Sequence, residues 1–252
     1  MKKILIAAMS ATLVCVAAPV SADNHEDDRD WFPMEIFACT FNEGKDMGDF
    51  QAATDAWSKW ADERNVESYW AGVLTPYYFG PEQGNFDVAW LGGWTSGTAM
   101  GTDTDLWLSE GEEVAAMFAE AATCDAHAGF AATNLYEGSG PDEDNNIVLG
   151  FQDCTQTTDV LPIFEAWGEY AAEAGFTGSL WMLAPVYGDG SADFDFKLVT
   201  SNHDFSALGA DWDRWEEHYG KWMELTDGSM QCDDARVYTT TVERRPPPSD
   251  DD

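Results

Sequence analysis

The sequence predicts an α+β chain made of two tandem copies of one β-α-β-β-α-β unit. Short matches recur in order at an offset of about 110 residues, the mark of an internal duplication. Ala56-Trp57-Ser58-Lys59-Trp60-Ala61 answers to Ala166-Trp167-Gly168-Glu169-Tyr170-Ala171, Pro76-Tyr77-Tyr78 to Pro185-Val186-Tyr187, Asn85-Phe86-Asp87 to Asp193-Phe194-Asp195, and Cys124 to Cys232. Within each copy the apolar period switches between the two-residue repeat of strands and the 3.6-residue repeat of helices. With 252 residues, 44% hydrophobic and 13% aromatic, there is enough apolar material for such a core.

The elements follow in order. Residues 34–42 form an apolar run bounded by polar residues and read as a strand. Phe50, Ala53, Trp57, Trp60 and Ala61 then recur at helical spacing. Runs 68–78 and 86–95 are aromatic, β-favouring and joined by a Gly/Pro/Asn loop. A second helix is expected over 104–122 and a closing strand over 127–136. Copy two repeats the series. In its second helix Trp212, Trp215, Tyr219, Trp222 and Met223 make one apolar stripe, expected to pack into the core. The organisation is thus a signal at 1–22, an acidic lead at 23–33, repeats at 34–136 and 146–243, a polar linker at 137–145 and a disordered tail at 244–252.

Charge excludes some functions. Twelve Lys+Arg against 47 Asp+Glu give a formal −35, which rules out nucleic-acid binding through a basic surface. Lys2 and Lys3, the apolar run 4–18 and Val20-Ser21-Ala22 read as a cleavable export signal. No later stretch is apolar enough to span a bilayer, so an exported, periplasmic or extracellular protein is expected. Cleavage removes Cys15 and leaves Cys39, Cys124, Cys154 and Cys232, an even set that suggests two disulfides with three pairings open. The acidity reads as a solvated surface or as cation binding. Segments 189–195 and 142–144 are rich in carboxylates, but neither follows a calcium-loop pattern. No metal site or cofactor is expected.

A β-α-β-β-α-β unit is the split, ferredoxin-like arrangement. Two fused copies that bury their open sheet faces together resemble the dimeric α/β-barrel superfamily, one polypeptide supplying both halves. The resemblance spans about residues 34–243 and rests on element order and duplication. It implies an intramolecular barrel, with monomer as the default state, in a superfamily that includes cofactor-independent monooxygenases, haem-binding enzymes, lyases, isomerases and stress proteins. In this topology the first and fourth strands are antiparallel neighbours, which pairs Cys39 with Cys124 and Cys154 with Cys232.

Alternation sorts side chains by face. Phe86, Val88 and Trp90, with Phe194, Phe196 and Leu198, are expected to face the helices, as are Phe37, Cys39 and Phe41 with Ile147, Leu149 and Phe151. The first and third strands are taken as parallel neighbours. That reading gathers Asn42 with Thr95, and Gln152 with Ser201 and His203, at one mouth of each half, with Tyr77, Tyr78 and Tyr187 on the rim. His203 is the candidate for proton transfer because imidazole titrates near neutrality; a haem enzyme of the superfamily would need an axial ligand, for which His203 could be proposed but no matched motif supports it. No nucleophile elbow, phosphate loop, dinucleotide fingerprint or zinc-helix motif occurs. The expected function is binding of a small apolar or aromatic molecule in the barrel. The alternatives are a monooxygenase-like or lyase-like enzyme using His203, and an envelope protein that binds cations or partners through its acidic surface.

Overall fold

The computed structural model describes residues 29–80, 86–140, 146–188 and 193–247. The signal, most of the lead, the carboxylates at 142–144, part of 189–195 and the end of the tail lie outside the described residues. The first half runs β1 (Phe32–Phe41), α1 (Met47–Glu63), β2 (Tyr69–Tyr78), β3 (Val88–Trp94), α2 (Gly97–Glu110), α3 (Glu112–Ala121) and β4 (Ala122–Tyr136). The second runs β5 (Asn146–Gln156), α4 (Leu161–Ala174), β6 (Ser179–Tyr187), β7 (Phe196–Asn202), α5 (Phe205–Thr226), β8 (Met230–Cys232) and β9 (Arg236–Arg244).

Local chemistry sets the helix ends. Asp46 caps α1 and, with Asp49, completes a capping box. Asp204 accepts from the Ala207 amide at 2.7 Å to start α5. Pro162 stands in the first turn of α4, and Gly175 ends it in the left-handed region at φ 79°. The single helix expected over 104–122 is instead two, beginning earlier and broken at Gly111. There a Cβ would come within 2.4 Å of the Trp107 ring, so only glycine lets that indole fold back against the chain.

Nine strands form one sheet in the order β7-β6-β4-β1-β3-β2-β9-β5-β8, and β7 pairs with β5. Eight of them thereby close an antiparallel barrel, which removes free edges. The halves join edge to edge through β2–β9 and β4–β6. β8 and β9 together take the place that β4 holds in the first half. Both disulfides form, Cys39–Cys124 and Cys154–Cys232, each tying the end of a first strand to the start of a fourth.

One topological expectation is corrected. β1 and β3 are antiparallel, with Met34 opposite Gly93 and Cys39 opposite Val88. The crossover through α1 makes β1 and β2 parallel, and the β2–β3 hairpin then returns β3 antiparallel between them. The end of β1 therefore lies beside the start of β3, not its end.

Apolar residues divide into an outer layer under the helices and an inner barrel layer. Trp57, Trp60, Trp90 and Trp94 pack under α1 to α3 with Cys39 and Phe50. Phe164, Phe196, Leu198 and Cys154 pack under α4. The inner layer includes Leu74, Ala89, Leu91, Phe130, Leu149, Phe151, Leu183 and Val199. Ile147, Leu149 and Phe151 thus face the barrel rather than the helices. Cys154 is the counterpart of Cys39, so the repeat slips by an odd number of residues relative to the helix offset, and an odd slip turns a strand over. Phe86 and Phe194 also join the inner layer, whereas Val88, Trp90, Phe196 and Leu198 face the helices as expected.

Candidate functional site

One end of the barrel carries an ion group. Lys197 donates to Asp153 Oδ1 at 2.6 Å and Arg236 donates to Asp153 Oδ2 at 3.0 Å. The Lys197 ammonium also lies 4.1 Å from the Phe194 ring centroid. Burial opposes the Asp153 charge, but the hydrogen bonds and charges of Arg236 and Lys197 outweigh it and hold the carboxyl below its usual range. Nearby, burial pushes the Tyr238 phenol up to about 12. Because the folded Asp153 is depressed, its contribution to stability is complete above roughly pH 4 and disappears as pH falls through the folded value. Asp153→Asn is expected to cost about 2–3 kcal/mol at pH 7, leaving two half-buried cations underpaired. It should also flatten the loss of stability below pH 4. Thermal melts at pH 7 and pH 3 check both; equal losses at the two pH values would contradict the assignment.

The other end is open. A cavity of about 750 Å³ runs inward from it, lined by Trp31, Phe32, Met34, Trp70, Leu91, Ile147, Phe151, Trp181, Leu183 and Val199. Polar groups converge at its mouth: Thr95 after β3, Ser201 and His203 at the end of β7, and Thr177 and Ser179 before and at the start of β6. Asp30, Glu137 and Arg245 complete the rim. Gly72 matters here because the Trp70 ring lies across it, 2.7 Å from where a Cβ would stand. His203 is about one-third exposed, with its Nε2 3.7 Å from Asp204 Oδ2.

The expected site residues separate into distinct places. Thr95, Ser201 and His203 share the cavity mouth. Asn42 is elsewhere: its Nδ2 donates to the Ala119 and Glu120 carbonyls, and its Oδ1 accepts from Thr123, closing the end of α3. Gln152 donates to the Asp233 carbonyl on the outer face of the sheet. Tyr77, Tyr78 and Tyr187 are more than half exposed and line neither major cavity. The expected gathering fails because β1 and β5 run opposite to β3 and β7. Asp87 and Asp195 are matched backbone partners, accepting from the Phe41 and Gln156 amides at 2.8 and 2.7 Å. Trp31, Trp70 and Trp181, which dominate the cavity wall, were not singled out by sequence. Alternation does place Trp70 on the same strand face as Leu74, which was the available signal.

A second cavity of about 560 Å³ lies between α5, α4 and the outer face of the second half of the sheet. Of the α5 stripe, Trp215 and Trp222 pack against Trp167 as expected, while Trp212, Tyr219 and Met223 face this space instead of filling it. Trp212 is 74% exposed, and Tyr219 and Met223 are nearly half exposed, contrary to the core role expected of them. The floor carries Gln152, Thr200 and Asn202. Of the described histidines only His203 lines either cavity. His127 Nε2 lies 2.8 Å from Glu35 Oε2, and His218 Nδ1 lies 2.7 Å from the Tyr170 hydroxyl. Among the described residues no group of three or more His, Cys, Asp or Glu side chains is arranged to hold a metal.

A protein from Lactobacillus acidophilus NCFM described as a monooxygenase superposes with a TM-score of 0.53 at 12% identity, covering 85% of this chain and 95% of its own. A mutant chlorite dismutase from Candidatus Nitrospira defluvii gives 0.51 at 7% identity, covering 83% and 91%. The chain has the dimeric α/β-barrel fold. No family model and no curated protein sequence matches it. At these identities the shared dimeric α/β barrel establishes architecture alone, since one fold serves many activities.

Proposed function

We propose that this protein is exported and holds a small apolar or aromatic molecule inside the barrel. The observation that carries the reading is the aromatic cavity of about 750 Å³ inside the barrel, with polar groups at its mouth. Apolar walls with a few convergent hydroxyls are the usual character of a small-molecule site. The two disulfides favour an oxidising compartment, and no helix among the described residues is long and apolar enough to cross a membrane.

Titration with the neutral fluorophore N-phenyl-1-naphthylamine tests the reading. One equivalent should bind with enhanced emission. Val199→Phe, which narrows the cavity, should weaken binding about tenfold, a cost typical of overpacking a site. Tyr219→Ala, in the second cavity, should leave it unchanged. Binding lost in Tyr219→Ala and kept in Val199→Phe would move the site to the space under α5. Native mass spectrometry of protein from its own source then identifies what is retained.

An enzymatic reading has one specific support, the position of His203 on the cavity mouth, where an imidazole can exchange a proton with a bound molecule. His203→Asn separates the two readings, because it should abolish turnover of a retained ligand while leaving fluorophore affinity within about twofold.

A further inference from the structure

Resting on that reading, we propose that the barrel cavity selects organic cations, of the quaternary ammonium or protonated amine class, over neutral and anionic molecules of the same shape. The walls supply the first reason. Three indoles, Trp31, Trp70 and Trp181, line one space together with the rings of Phe32 and Phe151. Trp181 meets Phe32 edge-on at 5.8 Å between centroids, and the six-membered ring of Trp70 reaches over Gly72, so aromatic side chains border the cavity from several strands. Aromatic faces carry negative quadrupole charge and attract a desolvated cation, Trp most strongly.

The distribution of charge supplies the second reason. An anion inside would need a cationic partner, and the barrel offers none uncommitted on its inner wall among the described residues. Lys197 and Arg236 line no part of the cavity and are paired with Asp153, with Asp233 a further partner for Arg236. Arg245 at the rim is exposed and engaged with another group, and His203 is both engaged and beside Asp204. Asp30 and Glu137 share that rim. The whole chain carries a formal −35, and a low-dielectric cleft focuses such a field on its interior. An apolar body suits the walls, and a positive head suits both the rings and the field.

The test uses three ligands with one skeleton on the full chain: benzyltrimethylammonium, its neutral carbon isostere neopentylbenzene, and benzylsulfonate. Tryptophan fluorescence and calorimetry should show the cation binding about tenfold tighter than the neutral isostere, the size of a good aromatic–cation contact, and the sulfonate not binding. In Trp181→Leu the ratio of cation to neutral affinity should fall towards one. Trp70→Leu is the parallel variant if Trp181→Leu does not fold. The preference should survive about 0.5 M salt, which screens the surface field but not the rings. A neutral isostere that binds as tightly as the cation, or a sulfonate that competes, overturns the proposal. So does a preference that vanishes in salt. If N-phenyl-1-naphthylamine binds the cavity while the cation does not, charge selection alone fails; if neither binds, the cavity reading fails with it.

Discussion

Replacing both members of either disulfide by Ser should lower stability by about 2–5 kcal/mol, the largest single effect expected in this protein. Each bridge closes a long stretch of chain, with sequence separations of 85 and 78 residues, so each removes much freedom from the unfolded state. In a chain of this size the loss corresponds to a fall in Tm of roughly 5–20 °C. The two bridges should differ in their local consequences. Cys124 belongs to β4, a strand of 15 residues that β1 holds from Ala122 to Ala132. Cys232 belongs to β8, which has only three residues paired with β5. Loss of Cys154–Cys232 should therefore free β8 and speed amide exchange in 230–232 well before global unfolding. Loss of Cys39–Cys124 should leave the β1–β4 ladder protected. Thermal melts and hydrogen exchange of the two double variants check this, and unchanged melting under reducing conditions would refute it.

Gly92→Ala should cost about 2–4 kcal/mol, combining overpacking with disruption of buried hydrogen bonds. A Cβ at this position would stand 1.7 Å from the Tyr69 hydroxyl and 2.4 Å from the ring carbon that carries it. That hydroxyl donates to Glu35 at 2.6 Å and accepts from Trp90 Nε1 at 2.8 Å, so it has no free direction in which to retreat. Burial and the neighbouring Glu35 charge push the Tyr69 phenol well up, keeping it protonated as a donor. Moving the ring would leave the Trp90 indole and one Glu35 oxygen without this partner and disturb the contacts of Tyr69 with Trp57 and Trp94. The diagnostic is a double-mutant cycle in urea. Tyr69→Leu removes the clashing phenol, so the two changes together should cost at least about 1 kcal/mol less than their sum. Simple additivity would mean that Gly92 is needed for some other reason.

Much of this structure was legible in the residues, for identifiable reasons. Trp57 and Trp167 occupy matching helical positions, and both are buried. The cysteine pairing followed once β4 was placed beside β1. The error at Ile147, Leu149 and Phe151 has an equally specific origin. Matching the repeats through their helices carried the strand register across a connection of different length, and an odd difference inverts the faces. Gathering Asn42 with Thr95 failed on strand direction, a property of the crossover and not of either residue. The α5 stripe exposed a limit of periodicity: Trp212, Tyr219 and Met223 recur as core residues do, yet periodicity identifies a face and says nothing about what lies opposite.

By itself the sequence determined the duplication, the alternation of strands and helices and the even set of cysteines. These are properties of neighbours along the chain, where spacing and side-chain chemistry act directly. Only the tertiary structure decided which rings meet. The cavity exists because Trp31, Trp70 and Trp181, from β1's lead-in, β2 and β6, come to line one space in a closed barrel. That meeting depends on strand direction and stagger, which closure of the whole sheet sets and no single segment encodes.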